Sequence, residues 1–551
     1  MTFTITKMKP THYIFAAALL CTGACSENAL EILPSDRLSD AIVWESPTTA
    51  SFVLNDIYDA LNAGPIVGTW LHLPSQISND PLDNFTDNAV SGPVAGIPSR
   101  QLFDNNSYGP ANPIFDQTWE RMYANIRKCN LFIEKVGQAS FDESQKKVLV
   151  AQAIFLRAHF YKTLVDLYGG VPLIVDVLDN TTQGDEIFRP RNTYEECVAF
   201  LVEQIDLAAV DLPESWSGAD VGRATWGAAM TLKGATQLYA GQWQEAAETN
   251  KAIMESELYR LFPDFGRIFL PENENNEEII FDVQYAPVIR HLRTHQFWGV
   301  LWAEKGSGWS AMSPSQNLVD QFEFTDGKTE AEGSSAFDSE KPYDNRDERF
   351  YATILHDGVQ WQGRTYYTRL GIPNNYNEFT PTVSGNGNPT GYGLRKLLDP
   401  TLMPLNNNLN GSNAVIYRYA EVLLNYAEAQ NEANGPDQSI YDAINALRKR
   451  GNLPDLPEGL SQSEMRNRIR RERRVELAFE GKYFYDLLRW RTAEEVFSQP
   501  VRGMKITGSG DNLTYEKVNV RTITFNPAKN YLMPIPQDAI DQNPKLEQNN
   551  Y

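Results

Sequence analysis

The sequence predicts a mostly α-helical protein, a scaffold of tetratricopeptide-like helical hairpins carrying a loop-rich variable region with short strands. Three observations predict it. Apolar residues recur at helical spacing through 115–137, 142–168 and 465–487. Two helix–turn–helix stretches, 225–256 and 417–450, read as degenerate repeats; in the first, Gly234 and Ala246 have the spacing of a tetratricopeptide unit and Gly241 sits in the turn. Between them, 261–415 has little helical periodicity and is rich in Asn, Gly, Pro and aromatic residues.

Composition bounds the function. A chain of 551 residues with 42% hydrophobic content can bury a large core. A net charge of −22 repels phosphate, which excludes nucleic acid and anionic membrane surfaces as partners. Eleven Trp and 25 Tyr are a high aromatic content, which fits flat ligand-binding faces, with a larger hydrophobic core as the commoner explanation.

At the N-terminus Lys7 and Lys9 precede an apolar run from Tyr13 to Cys21, and small residues lead on to Cys25. This reads as a signal peptide over 1–24, its apolar run too short to span a bilayer. Leu20-Cys21-Thr22-Gly23-Ala24-Cys25 resembles a lipobox, with Thr22 where Leu is usual, so Cys25 is the expected lipidation site; a plain cleavage site is the alternative. Residues 25–47 then form a lipid-anchored tether and docking segment.

The first helical region is expected over 48–260. Its opening helix, 48–62, has Phe52, Ile57, Tyr58 and Leu61 as inner face, and 64–112 is a long loop of functional type. Helices follow at 115–137, at 142–168 (stopped by Gly169-Gly170 and Pro172) and from a Thr193 cap to about 210. Cys129 and Cys197 lie in helical patterns and read as buried small hydrophobes. In the insert 261–415, residues 278–285 read as a strand, Asp326-Gly327-Lys328 as a turn and 374–392 as irregular. The closing helical region is 416–551. In it Ser461 and Glu464 form a capping box, and 465–490 reads as one long amphipathic helix. Its Arg470, Arg471, Arg473 and Arg474 interleave with Glu472, Glu476 and Glu480, and a buried helix is expected, its arginines forking onto acids such as Glu421 and Glu428.

Catalytic motifs are missing from the sequence: no H-E-x-x-H, G-x-S-x-G, P-loop or dinucleotide fingerprint occurs. His291 and His295 are four apart but have basic neighbours and no acidic ligand, so a metal site is not expected there. The chain reads as a binder, not an enzyme, with no cofactor.

Several patches, in order, resemble the SusD/RagB family of cell-surface nutrient-binding lipoproteins. They are Arg157-Ala158-His159-Phe160-Tyr161, Leu167-Tyr168-Gly169-Gly170-Val171-Pro172-Leu173, Glu278-Ile279-Ile280-Phe281, Arg346-Asp347-Glu348-Arg349-Phe350, the run from Tyr417 to Ala429, Arg471 to Trp490, and the closing Tyr531 to Pro536 and Asn543 to Asn549. The resemblance implies four tetratricopeptide-like hairpins with loops on one side and no enzymatic activity. It further implies an outer-membrane location facing the cell exterior, a SusC-like TonB-dependent transporter as partner, and an oligosaccharide or polysaccharide ligand. A peptide ligand, or a lid that binds nothing, are the alternatives.

Ligand contacts in such proteins come from loops equivalent to 70–110, 285–310 and 360–395. Sugar binding needs aromatic faces for C–H surfaces and amide, carboxylate or guanidinium groups for hydroxyls. Trp298, Trp302 and Trp309 are the expected platforms, with Asn79, Asp80, Asp83 and Asn84 as polar partners and Tyr108, Tyr285, Trp361, Tyr366 and Tyr392 as further contacts. For each tryptophan the competing reading is core packing; for each Asp or Asn it is a turn residue bonding its own backbone.

Overall fold

The computed structural model describes residues 43–62, 82–91, 98–289, 294–302, 308–381, 387–403 and 409–551. Helix α1 (Pro47–Asp59) starts at Ser46, whose side chain accepts from Thr49 N at 3.2 Å, with proline in the first turn. Ala50, Leu54 and Ile57 form its inner stripe. Phe52 is 55% exposed, against expectation, because two residues on from Ala50 it lies about 200° around the helix.

Helices α2 (Asp116–Gln138) and α3 (Glu143–Tyr168) make the first hairpin, Asp142 capping α3. Helix α3 is long and apolar enough to cross a membrane, yet 72% of its apolar window is buried inside the protein, so it is a core helix. It ends at Gly169, and a Cβ on Gly170 would stand 2.1 Å from the Asn192 carbonyl oxygen, so only glycine lets the next strand of chain pass. Helix α4 (Tyr194–Asp211) has the Thr193–Glu196 capping box. Helices α5 (Trp226–Tyr239) and α6 (Trp243–Glu255) form a second hairpin. They cross closely at Gly234, where a Cβ would lie 2.5 Å from the Asn250 amide nitrogen. Cys129 and Cys197 are buried and unpaired.

After the insert come α7 (Tyr419–Asn434), α8 (Gln438–Arg450), α9 (Gln462–Glu476) and α10 (Tyr483–Arg489). Each of α2 to α6 packs on the next, α1 lies against α2 and α3, and α6 then packs on α7, which carries α8 and α9. The helical array is thus continuous in space across a break in sequence. The break is closed at its base by antiparallel strands β1 (Ile279–Val283) and β2 (Ala414–Arg418), where the insert leaves and returns. Within the insert are two-residue strand pairs, 354–355 with 393–394 and 360–361 with 364–365. Ala89–Val90 pairs with Ser313–Pro314 and ties the first loop to the insert. A long hairpin, β3 (Val501–Ser509) and β4 (Asn512–Arg521), for which the sequence reading had no expectation, supports the insert: Leu370 N donates to Ile506 O at 3.0 Å and Met504 N to Thr390 O at 2.7 Å. One hydrophobic cluster runs from Ala50 through Trp298, Tyr366 and Phe484 to Ile535, so insert and flanks share a core.

The arginine-rich stretch is two helices, not one. Helix α9 stops at Leu477, and Phe479 takes φ +66°, a left-handed conformation, while its N–H donates to Asp83 Oδ1 at 3.3 Å. The buried ion pairs are present, but in the densest cluster the helix supplies two of the carboxylates, Glu472 and Glu476. Arg349, Arg418, Arg448, Arg450 and Lys396 face Asp347, Glu278, Glu323, Glu472, Glu476 and Glu480. Glu476 alone receives Arg450 at 2.5 Å, Arg418 at 2.6 Å and Arg349 at 3.0 Å. The helix's own Arg473 binds Asp486 at 2.8 Å and Asn425 at 2.7 Å, and stands 3.9 Å from Glu421; Arg474 binds Asp87 at 2.9 Å. Glu428 is taken by Arg489 at 2.6 Å and the Trp490 indole at 2.7 Å.

Candidate functional site

Residues 294–302 and 308–311 form two arms bonded side by side: Trp309 N donates to Gln296 O at 2.7 Å, Ala311 N to Phe297 O at 2.7 Å and Ser310 N to Gly299 O at 3.0 Å. The first arm begins with the turn Thr294–Phe297, anchored by His295. The imidazole Nε2 accepts from Asp399 N at 2.7 Å, and burial lowers the His295 pKa to about 4, keeping the ring neutral. Asn377 fixes the end of that arm, accepting from Leu301 N at 3.0 Å and donating to Leu301 O at 2.6 Å.

Beside this loop the strand pair 360–361 and 364–365 turns tightly at Gln362-Gly363, both with positive φ. Its tip meets Trp302. The indole N–H donates to Gln362 Oε1 at 2.8 Å, Gln362 in turn donates to Leu402 O, the Arg364 guanidinium lies 5.3 Å from the Trp302 ring centre, and Tyr366 meets that ring edge-on at 6.5 Å. Trp302 is 8% exposed beneath this cover. Trp309 stands edge-on to Phe297 at 4.6 Å and is half-buried. Tyr376, next to the anchoring Asn377, is 38% exposed.

The expected contacts divide accordingly. Trp302 and Trp309 belong to this loop face, and Tyr366 packs edge-on against Trp302 from the interior. Trp298 is 1% exposed and serves as core of the first arm, its backbone N–H donating to Thr294 O at 2.7 Å. Trp361 is 3% exposed on the strand preceding the tip and lines a separate pocket with Phe265 and Phe269. Tyr366 and Tyr392 are fully buried: the first accepts from Asn388 at 3.0 Å, the second donates to Gln316 at 2.6 Å, and burial raises both phenol pKa values. Tyr285 closes the end of β1, its N–H on Asn413 at 2.9 Å. Tyr108 stacks on Phe103 at 5.9 Å, near Tyr551. Asp83 and Asn84 are internal ties, Asp83 accepting from Asn88 at 2.9 Å and from Phe479 N, and Asn84 donating to Ala311 O at 2.9 Å; burial pushes the Asp83 carboxyl up. In these buried positions a side chain holds the loops and offers no open face. Asn79, Asp80 and Cys25 lie outside the described residues. Sequence reasoning missed Gln362, Arg364 and Tyr376; the Gln-Gly pair was a turn signal, but nothing local tells that its tip meets Trp302.

What the face offers is aromatic surface edged by amide and guanidinium groups, the chemistry that accommodates a polyhydroxylated ring. Among the described residues no three His, Cys, Asp or Glu side chains gather as a metal would need.

Fold and geometry define a helical-repeat scaffold presenting a loop-built face of aromatic, amide and guanidinium groups. Residues 277–551 match the family model described as "SusD family", and 75–234 the one described as "Starch-binding associating with outer membrane". The chain belongs to the SusD/RagB family, a carbohydrate-binding family. It is 26% identical over 569 aligned positions to a SusD-like protein of Formosa agariphila, covering 98% of this chain and 99% of that one. A solved SusD-like protein from Bacteroides fragilis has a TM-score of 0.80 at 30% identity, covering 94% of this chain and 100% of its own. Another from that organism, titled a SusD-like carbohydrate binding protein, has a TM-score of 0.78 at 26% identity, covering 92% and 100%.

Proposed function

We propose that this protein captures an oligosaccharide or polysaccharide at the cell surface through the loop face around Trp302 and Trp309. In this reading it is held to the outer membrane by a lipid on Cys25, and it delivers the glycan to a SusC-like TonB-dependent transporter without chemical change. The observation that carries the reading is the Trp302 indole, held by Gln362 and faced by the exposed Arg364, on the loop arm that is bonded to the arm carrying the half-buried Trp309. A sugar ring can lie against the half-buried Trp309 while the Arg364 guanidinium and the Gln362 amide meet its hydroxyls. The family membership supports the ligand class.

The test is titration of the purified chain with a panel of glycans, repeated on Trp309→Ala and Arg364→Ala. Binding by the parent and weakening of at least about tenfold in each variant is expected. Affinity for peptides with none for any glycan would replace this reading with peptide capture, and a stable transporter complex with no ligand affinity would reduce the protein to a lid.

A further inference from the structure

We infer that the chain carries a second oligosaccharide-binding site, in a groove of about 740 Å³ between the start of α2, the segment 172–189 and the C-terminal segment 536–546. None of its lining residues belongs to the loop face. Its volume falls within the ~300–1,000 Å³ of small-molecule sites.

The groove is built on fixed walls. Trp119 forms the floor, nearly buried, edge-on to Tyr168 at 5.2 Å and 5.0 Å from Tyr123. The Tyr123 hydroxyl donates to Pro172 O at 2.9 Å, which sets the orientation of a half-buried ring. Phe188 lines the groove from the segment 172–189, also half-buried. That segment is strapped to α2, Asn130 donating to Ile174 O at 3.0 Å and Asp176 O at 3.1 Å, and Arg127 to Leu178 O at 2.7 Å. The C-terminal wall is joined to it by Asn543, which donates to Arg189 O at 2.8 Å.

The rim decides the ligand class. Glu120 and Asp538 are exposed carboxylates that make no hydrogen bond or ion pair among the described residues, and Arg127 uses one of its nitrogens on Leu178, leaving further N–H groups toward the groove. Glu120, Asp179 and Asp538 share the lining with Arg127 and Arg189, so no single-sign field selects a phosphate or a polyanion. A sugar hydroxyl both donates and accepts, and needs this mixture, while ring C–H faces suit Tyr123 and Phe188. The assignment is therefore a neutral oligosaccharide.

This proposal rests on the reading that the protein binds glycans. Calorimetric titration of the full chain with maltohexaose, laminarihexaose, cellohexaose and xylohexaose tests it, the sugar that binds being carried to the variants. Two sites per chain are expected: Glu120→Ala combined with Asp538→Ala, or Asn180→Trp at the groove wall, weakens one at least about tenfold, and Trp309→Ala weakens the other. Because Glu120 and Asp538 are exposed, the double variant retains the parental melting temperature, which is measured alongside. A single site per chain, weakened by Trp309→Ala and untouched by both groove variants, overturns the second site and leaves the loop face standing. No binding of any glycan overturns both.

Discussion

Replacing Glu476 by Gln keeps the shape of the side chain and removes one negative charge from the centre of the buried ion cluster. The carboxylate is fully buried and receives three guanidinium groups at 2.5–3.0 Å. Those arginines hold its pKa far below the usual carboxylate range despite burial, so it is charged at every pH the protein meets. In Gln the amide oxygen accepts from part of that set, while the NH2 group faces a guanidinium with nothing to accept. Arg349, Arg418 and Arg450 then lose a shared negative charge in a buried site, and breaking such a pair costs about 3–5 kcal/mol. The measurement is urea unfolding of parent and Glu476→Gln at pH 7, with glycan titration on the folded variant. A loss under about 1 kcal/mol would refute the reasoning, since it would mean the cluster is solvated or rearranges freely. Lost glycan affinity in a fully folded variant would refute it differently, by giving the cluster a part in binding.

Other outcomes follow from single contacts. His295 is neutral in the fold with a pKa of about 4, against 6.5 unfolded, so the unfolded chain takes up the proton first. Its contribution is whole above about pH 6.5 and falls as pH drops toward 4, by about 1.4 kcal/mol per pH unit. Asp282, raised to about 6 by burial, works in the opposite direction, so the parent must be compared with His295→Gln, whose stability profile should be flatter by that slope. Trp298→Ala should cost about 3–5 kcal/mol of stability by emptying the core of the first arm; a fully stable variant that loses only ligand would restore Trp298 as a contact. Gly170→Ala, which forces a Cβ to 2.1 Å from the Asn192 carbonyl, should destabilise by at least about 1–3 kcal/mol in thermal unfolding.

Much of the scaffold was legible because its signals are local. Ser461 with Glu464, Thr193 with Glu196, and the Gly241 turn each specify a boundary within a few residues of sequence. Periodicity was less reliable where the stripe is narrow: Phe52 fits an apolar count but not the face defined by Ala50 and Leu54. The break between α9 and α10 was not legible, because the group that receives the Phe479 N–H is Asp83, 396 positions away in the chain. The same holds for the ion cluster. The arginines of α9 were conspicuous, while the cations that meet Glu472, Glu476 and Glu480 come from 349, 396, 418, 448 and 450. At the site, an aromatic residue in an irregular segment is drawn toward core and ligand surface by the same apolar area. Trp298 and Trp309 stand eleven positions apart in similar sequence, and only the pairing of the two arms makes one an interior residue and leaves the other half open.

The hairpin of β3 and β4 also has a bearing on solubility. Strand β4 pairs with β3 and with no second strand among the described residues, so ten residues of backbone offer an unpaired edge onto which another chain could add. Exposed Glu516, Lys517 and Asn519 interrupt that edge, Lys517 reaches across to Asp320 and Glu330, and a register irregularity between Asn519 and Arg521 twists its far end. Growth of an intermolecular sheet would bury those charges against their own copies. The strand thereby stays a terminal one even at high local protein density, and the loops it supports can be long and sticky toward ligand without the molecule becoming sticky toward itself.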